Sequence, residues 1–355
     1  MNIFDDLKLQ KPIRRFRRMA LATIFLTVFL IWVGGWVRSV GAGMGCPDWP
    51  KCFGQWIPPT DAAQLPADYK DVYANQRRQK NERIATRLEK MGFTTVADRL
   101  RNDPKMYIEE DFNTYKTWTE YVNRLIGVLV GFSIFLMLLA SFRLRHVSVW
   151  LPILAGLGFF LVGFEGWLGS IVVSTRLMPG MITIHMILAM VLLMVLISAI
   201  LLLEKKLNPN LKIAVPNTFF WAGLAISLVV LWQIGIGTQV RERVDFVSDA
   251  LGEAQRSTWI SQLGSVYQWH QYSFYAVTVA IVAWFFSLGS HNFGGNSWLR
   301  RFSMATVLIL GLEIMLGFLM HNFSIPALAQ PLHLLLGTLL FATAFSATAI
   351  VRIYR

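Results

Sequence analysis

Residues 163–169 read GFEGWLG, and residues 311–317 read GLEIMLG. Both fit the pattern G-Φ-E-x-x-L-G, in which Φ is an apolar residue, and they lie 148 positions apart. His185 and His333 are separated by the same 148 positions. Because a motif and a rare residue type recur at one offset, the sequence predicts an internal duplication with a glutamate and a histidine in each copy.

The composition is that of a membrane protein. Of the 355 residues, 55% are hydrophobic and 15% are charged, and the mean hydropathy is +0.48. A soluble domain carries about a quarter charged residues. Runs of roughly 20 apolar residues can cross the hydrocarbon core of a bilayer, and they do so as helices because the backbone has no water to bind there. Eight such runs lie at about 18–38, 121–142, 149–172, 180–203, 217–239, 267–289, 301–321 and 329–351.

The net charge of +12 follows the predicted topology. Basic residues gather in alternate short loops and at both ends of the chain, which places both termini in the cytoplasm and gives no reason to expect a nucleic acid partner. The N-terminus keeps Asp5 and Asp6 and is unlike a transit peptide, which favours the inner membrane of a bacterial cell. The basic residues are Arg14, Arg15, Arg17, Arg18, Arg143, Arg145, Lys205, Lys206, Lys212, Arg300, Arg301, Arg352 and Arg355.

The duplication extends to the first and fifth spans, which both end in G-x-x-V-R at residues 34–38 and 237–241. Each copy starts on the same side of the membrane, as in a parallel repeat. The predicted fold is therefore an all-α integral membrane protein with eight transmembrane helices, arranged as two tandem pseudo-symmetric four-helix bundles. The predicted regions are a cytoplasmic N-terminus at 1–17, an N-terminal bundle at 18–203 and a C-terminal bundle at 217–351.

The N-terminal bundle contains a long outer loop at about 39–119. Its middle part, roughly 61–117, is rich in charged residues and has no equivalent in the second copy. We expect a solvated helical hairpin there, which is too small to be an enzyme domain of its own.

Histidines inside the membrane are the strongest candidates for function, because burying an ionisable group there is costly. His270 opens the sixth span and lies 63 residues before His333, at a similar predicted depth. Two neutral imidazoles facing each other across a helical bundle can hold a haem iron from both sides. A bare metal site and two unrelated polar residues are the alternatives. Glu165 and Glu313, at matched positions, are interpreted either as packing residues or as part of a proton path.

The first copy breaks this symmetry. Position 123 lies 62 residues before His185, where the repeat predicts histidine, but it is Asn123. Glu120, Asn123 and Arg124 share one face at the start of the second span, which points a carboxylate into the mouth of the first bundle. The alternative is a surface ion pair at the beginning of a helix.

The residues that follow the first span resemble a known family. The stretch GAGMGCPDWPKCFGQWIPP at 41–59 looks like the first outer loop of the haem A synthases, and EYVNR at 120–124 looks like that family's E-x-x-H-R with Asn123 in place of histidine. The resemblance covers all eight spans and the later histidines.

This resemblance implies an oxidoreductase that converts the C8 methyl group of haem O to a formyl group by successive hydroxylations, for the biosynthesis of the cytochrome oxidase cofactor. It implies a permanent haem b between His270 and His333, a substrate haem bound through His185, and a catalytic role for Glu120. Asn123 departs from the family pattern, which leaves two interpretations: a five-coordinate substrate haem, or an altered activity. The first is preferred because Glu120 and Arg124 are both retained. The implied partners are haem O, the farnesyltransferase that makes it (haem O synthase) and membrane lipid, and a homo-oligomer is compatible with the sequence.

The resemblance also concerns the outer loop. The family has a cysteine pair there, which makes Cys46 and Cys52 a disulfide of either structural or redox role. Arg38 and Arg241, at matched positions, are candidates for contacts with haem propionates, with interfacial snorkelling as an equal alternative. Two other functions stay open: a membrane b-type cytochrome for electron transfer, and a protein that binds or delivers haem without chemistry.

Overall fold

The computed structural model describes residues 7–178, 180–213, 215–289 and 297–355, and this part of the chain is helical without a β-sheet. The helices within it are α1 Leu7–Ser39, α2 Tyr69–Lys90, α3 Thr94–Asn102, α4 Thr114–Phe142, α5 Trp150–Ser174, α6 Met181–Leu207, α7 Asn217–Leu251, α8 Ser265–Gly289, α9 Ser297–Asn322 and α10 Ala329–Ile353.

Eight of these helices, all except α2 and α3, are long and apolar enough to cross a membrane within the described residues. This confirms the predicted class, an all-α multi-pass membrane protein. The largest difference from prediction is at α7, which continues to Leu251, past the predicted end at 239. It ends at Gly252, whose φ of 74° is in the left-handed region that glycine adopts without strain.

The beginning of α4 has a defined cap. The side chain of Asn113 accepts a hydrogen bond from the Lys116 backbone N–H at 3.0 Å, which satisfies one of the free donors in the first turn. This cap sets the register of α4, and therefore the direction in which Glu120 and Arg124 leave the helix two turns later.

The helices α6 and α10 form the centre of the molecule. More than half of the most apolar segment of each is buried within the protein, 61% for α6 and 56% for α10, against 39% or less for the other spanning helices in the described part. Each central helix packs against four others: α6 contacts α1, α5, α7 and α10, and α10 contacts α1, α6, α7 and α9.

These contacts are matched between the two copies. In the first copy α1 packs on α4, α4 on α5, and α5 on α6, while in the second copy α7 packs on α8, α8 on α9, and α9 on α10. The two copies also pack against each other, since α1 contacts α10 and α7 contacts α6. The pattern is compatible with two tandem four-helix bundles that share a central interface.

The charged part of the outer loop forms the predicted hairpin, from α2 and α3, but the expectation that it is solvated requires correction. One face of α2 is buried through Arg77, Asn81 and Ala85. A small apolar cluster joins Ala85 to Leu100 of α3 and to Met178, which follows α5. The hairpin is held against the outer end of the first bundle because its apolar residues, although few, lie on one side.

Candidate functional site

The two matched histidines have the same neighbours. Nδ1 of His185 in α6 lies in close contact with Oε2 of Glu165 in α5. Nδ1 of His333 in α10 contacts Oε2 of Glu313 in α9 in the same way. A carboxylate at Nδ1 favours the tautomer that carries its proton there and leaves the lone pair of Nε2 free for a metal. The two histidines therefore have the same carboxylate contact at the same ring nitrogen.

The last glycine of each repeated motif lies beside its histidine. A Cβ at Gly169 or at Gly317 would sit 3.9 Å from Cε1 of His185 or His333, respectively. The repeated motif thus contributes both the carboxylate and the small residue that flank each ring. Sequence reasoning did not pair the glutamates with the histidines, although a signal existed: in both copies the glutamate precedes the histidine by 20 positions.

The second copy brings two histidines together. The ring centres of His270 and His333 are 6.3 Å apart, and the ring planes are 80° from parallel. Two imidazoles that share one metal ion, with metal–nitrogen bonds of about 2 Å, have ring centres about 6 Å apart. The ring of His270 also packs closely on α7, where a Cβ at Gly237 would be 3.3 Å from its Cε1. These residues fit a haem iron held between the two rings.

A glutamine supports His270, and sequence reasoning missed it. Nε2 of Gln233 donates to the backbone oxygen of His270 at 2.8 Å and lies 3.2 Å from its Nδ1. The hydroxyl of Ser273 donates in turn to Oε1 of Gln233. The repeat carried no signal for this residue, because the matching position in the first copy is Leu30.

Asn123 occupies the place that His270 has in the second copy. A Cβ at Gly34 of α1 would be 3.9 Å from Oδ1 of Asn123, just as the matched Gly237 faces His270. This amide oxygen is buried and has no hydrogen-bond partner within the described ranges. A buried acceptor without a partner is costly, so the site is suited to a polar ligand.

Glu120 and Arg124 are held by the outer loop that precedes α2. The buried Glu120 carboxylate accepts a hydrogen bond from the Cys46 backbone N–H at 2.8 Å through Oε2, and it pairs with Arg124 through Oε1. Arg124 also donates to the backbone oxygens of Cys46 and Asp48, at 3.0 and 2.6 Å. The alternative of a solvated surface ion pair is corrected, because Glu120 is 4% exposed.

The outer loop comes close to α4 because of one glycine and one covalent bond. A Cβ at Gly45 would lie 2.4 Å from the backbone oxygen of Lys116, so only glycine fits there without a shift. A disulfide joins Cys46 to Cys52. Phe53, next in the chain, packs edge-on against a group of aromatic rings, those of Tyr69, Tyr73 and Phe112. The disulfide loop is thereby fixed over Glu120.

The matched arginines, Arg38 at the end of α1 and Arg241 in α7, lie side by side. Arg38 donates to Oδ2 of Asp245 at 2.8 Å, and Arg241 pairs with Oδ1 of the same carboxylate at 2.8 Å. Arg241 also donates to the backbone oxygen of Arg38 at 3.0 Å. Asp245 thus joins the arginines of the two copies, and their contact with haem propionates stays a prediction.

The buried face of α2 adds charged groups near the first copy. Arg77 forms an ion pair with Glu109 at 2.8 Å, with side chains that are 1% and 8% exposed. Burial lowers the pKa of Arg77, and the charges of Glu109, Arg176 and Glu120 also act on it. Burial raises the pKa of Glu109. Lys80 of the same helix donates to the backbone oxygen of Ser170 in α5 at 3.1 Å, so α2 lies over the first copy.

Comparisons with known proteins agree with this arrangement. The family model described as COX15-CtaA, cytochrome oxidase assembly protein, matches residues 17–345. A Shewanella oneidensis protein named heme A synthase is 25% identical over 165 residues, which cover 46% of this chain and 38% of that protein's length. No solved structure matches the chain. Since the family model matches from the first spanning helix into the last, the chain belongs to the COX15-CtaA family of cytochrome oxidase assembly proteins.

Proposed function

We propose that this protein is a haem A synthase, an oxidoreductase of the membrane that converts the C8 methyl group of haem O to a formyl group by successive hydroxylations. Family membership and the name of the Shewanella relative support the proposal. The observation that carries it is the difference between two otherwise matched histidine sites. One has a second imidazole at the distance that an iron atom requires, and the other has Asn123 in its place.

In this proposal His270 and His333 of the second copy would hold a permanent haem b. A haem bound there supplies one-electron transfer. The protein contributes the orientation of both rings: Glu313 contacts Nδ1 of His333, and Gln233 binds the backbone of His270. These contacts orient both imidazoles.

The first copy binds the substrate haem, with His185 as its single protein ligand. Asn123 cannot replace the missing histidine, because its amide nitrogen has no free lone pair and its oxygen is a weak ligand for haem iron. Its unpartnered amide oxygen can instead accept a hydrogen bond from a small molecule or from a donor group near the substrate. A substrate with one open axial position suits turnover, because it has to bind, react and leave.

Glu120 is the proposed catalytic residue, acting on protons beside the substrate. Oε2 receives the Cys46 N–H and Oε1 receives Arg124, so the carboxylate has a defined orientation. The corresponding residues of the second copy are Tyr267 and Gln271, neither of which is a carboxylate. The proton-transfer group is therefore found only in the copy that lacks a second iron ligand.

Conversion of haem O by the full-length protein tests the function. The protein is purified from membranes of cells that make haem O, and the bound pigments are extracted and separated. We expect haem O and haem A beside haem B. Glu120→Gln should abolish haem A while leaving haem B, and Glu253→Gln, an exposed glutamate of the outer loop in the second copy, serves as the matched control. Normal haem A in Glu120→Gln would refute the catalytic assignment.

The same experiment separates the alternatives. An electron carrier, or a protein that only binds or delivers haem, would yield haem B without haem A even when haem O is supplied. Two permanent low-spin haems in the spectrum would identify the electron carrier, which requires a second ligand in the first copy. The arrangement around Asn123 argues against it.

We also propose the inner membrane of a bacterial cell as the location, with both termini in the cytoplasm and haem O supplied by the farnesyltransferase that makes it. The basic residues of alternate loops support this orientation. A reporter enzyme that is active only in the cytoplasm, fused after Arg355, should be active. An inactive fusion together with an active periplasmic reporter would reverse the orientation.

A further inference from the structure

The buried face of α2 contains hydrogen-bonding groups that the chain leaves unused. Asn81 is fully buried, and neither its amide oxygen nor its amide nitrogen has a hydrogen-bond partner in the described part of the chain. The same holds for Nε of Arg77, one turn earlier on the same face. Native proteins seldom leave several buried polar atoms unpaired at one place, so the face is suited to a polar ligand.

Lys80 lies next to these residues, and its ammonium group binds a backbone oxygen rather than a carboxylate. Its ammonium group is half-buried, and it donates to the backbone oxygen of Ser170 at 3.1 Å. Burial lowers the pKa of Lys80, and the positive charge of Arg124 lowers it further. The nearby carboxylates are already engaged, since Glu109 pairs with Arg77 and Glu120 pairs with Arg124. An added anion would stabilise the charged form of Lys80.

The position of Lys80 connects this face to the first histidine site. Ser170, whose oxygen it binds, directly follows Gly169, and Gly169 lies beside the ring of His185. Arg124, whose charge reaches Lys80, leaves α4 one residue after Asn123. Through Lys80, α2 therefore lies close to the His185 side of the site in the first copy.

We propose that Lys80, together with Arg77 and Asn81, forms a carboxylate-binding site that receives a propionate of the porphyrin held in the first copy. This inference rests on the proposed function, because it assumes that His185 binds a haem. A propionate provides two acceptor oxygens and one negative charge, which match an ammonium group, an amide and a guanidinium nitrogen. The second copy has no equivalent of α2, so this site distinguishes the substrate from the permanent haem.

A comparison of two porphyrins tests the site directly. Iron protoporphyrin IX and its dimethyl ester, which lacks the two negative charges, are titrated into the purified full-length protein and followed by absorbance. Only the binding component that His185→Ala removes is assigned to the first copy. We expect the diacid to bind about 10-fold or more tightly than the ester, since charge-assisted hydrogen bonds are among the strongest in proteins.

The variants Lys80→Met and Asn81→Leu should remove that preference. They weaken binding of the diacid about 10-fold and leave binding of the ester unchanged. Lys80→Arg should restore part of the loss. Lys90→Met, which changes an exposed lysine at the end of the same helix, is the matched control and should behave as the wild type. The haem b content of each variant, which depends on the second copy, reports separately on folding.

Two results would overturn the inference: unchanged diacid binding in Lys80→Met, or an equal loss for the diacid and the ester. These outcomes are distinct from failure of the proposed function. If the wild-type protein prefers the diacid through Lys80 but makes no haem A, the carboxylate site is supported and the proposed function is refuted. If the protein makes haem A but Lys80→Met binds the diacid normally, the proposed function is supported and the carboxylate site is refuted.

Discussion

The two copies of the bundle contain the same histidine and carboxylate, but different residues complete each site. In the second copy His270 lies across from His333, with ring centres 6.3 Å apart, and Gln233 supports it. In the first copy the equivalent position is Asn123, and the glutamine position is Leu30. The first copy has instead Glu120, a disulfide loop that holds it, and the helix α2 above it.

Under the proposed function, this difference separates two requirements that one duplicated fold has to meet. A permanent cofactor needs both axial positions of the iron filled and rings that do not move. A substrate needs an open position, a group for proton transfer and a way to enter and leave. The duplication supplied one histidine with its carboxylate to each copy, and later divergence changed the residues around it.

The largest effect should come from removing a histidine of the complete pair. We expect His333→Ala to lose the permanent haem b, because one imidazole is not enough to retain it, whereas His185→Ala should keep haem b and lose only the substrate pigment. The iron and haem content of the purified variants measures this. His321→Ala, an exposed histidine at the end of α9, is the control. Equal loss of haem b from both variants would contradict the proposal that the second copy holds haem b and the first copy binds the substrate.

The carboxylates behind the histidines should have a smaller effect that is similar in the two copies. Glu313→Gln removes the negative charge beside Nδ1 of His333, and mutation of such a supporting carboxylate costs about 10- to 100-fold in metal affinity. We expect this decrease for haem b with Glu313→Gln and for the substrate haem with Glu165→Gln. Haem titration of each variant measures both. An unchanged affinity would mean that the contacts only pack the helices together.

Asn123→His restores the symmetry of the duplication. The new imidazole would fill the open axial position, so the spectrum of the first-copy haem should change from high-spin to low-spin, with slower formation of haem A. Asn123→Leu, which removes the amide without adding a ligand, should keep the high-spin spectrum. A low-spin first-copy haem in the wild type would show that another group already fills this position.

The smallest effect should follow from Gln233→Leu, which introduces the residue of the first copy into the second. It removes a neutral hydrogen bond of about 1 kcal/mol, and we therefore expect haem b affinity to fall only a few-fold. Titration against the wild type would detect this. A loss as large as that of His333→Ala would mean that Gln233 determines the position of the His270 ring, not only its support.

Much of the fold could be predicted because a membrane allows few backbone conformations for an apolar segment. Long apolar runs have one stable form in lipid, so hydropathy alone identified the eight spanning helices. The repeat then aligned His185 with His333, and Asn123 with His270. The expectation of a solvated hairpin was the least accurate. The burial of Arg77 and Asn81 depends on how α2 packs against the bundle, and no pattern in its charged sequence predicts that packing.

Other features depended on contacts between helices that are distant in the sequence. Glu165 and His185 were both visible, but whether they meet depends on the rotation and depth of α5 against α6. Asp245 lies between Arg38 and Arg241 because the last turn of α1 reaches α7. Nothing in the local sequence of either helix specifies that distance.

The sequence by itself determined the membrane class, the number of spanning helices, the duplication and the broken symmetry at Asn123, because each follows from hydropathy or from residue identity at a fixed offset. Only the tertiary structure decided which side chains meet: the carboxylates at the histidines, the disulfide loop at Glu120 and the face of α2 above the first copy. Such contacts are set by how helices rotate and pack, and packing is a property of several segments together.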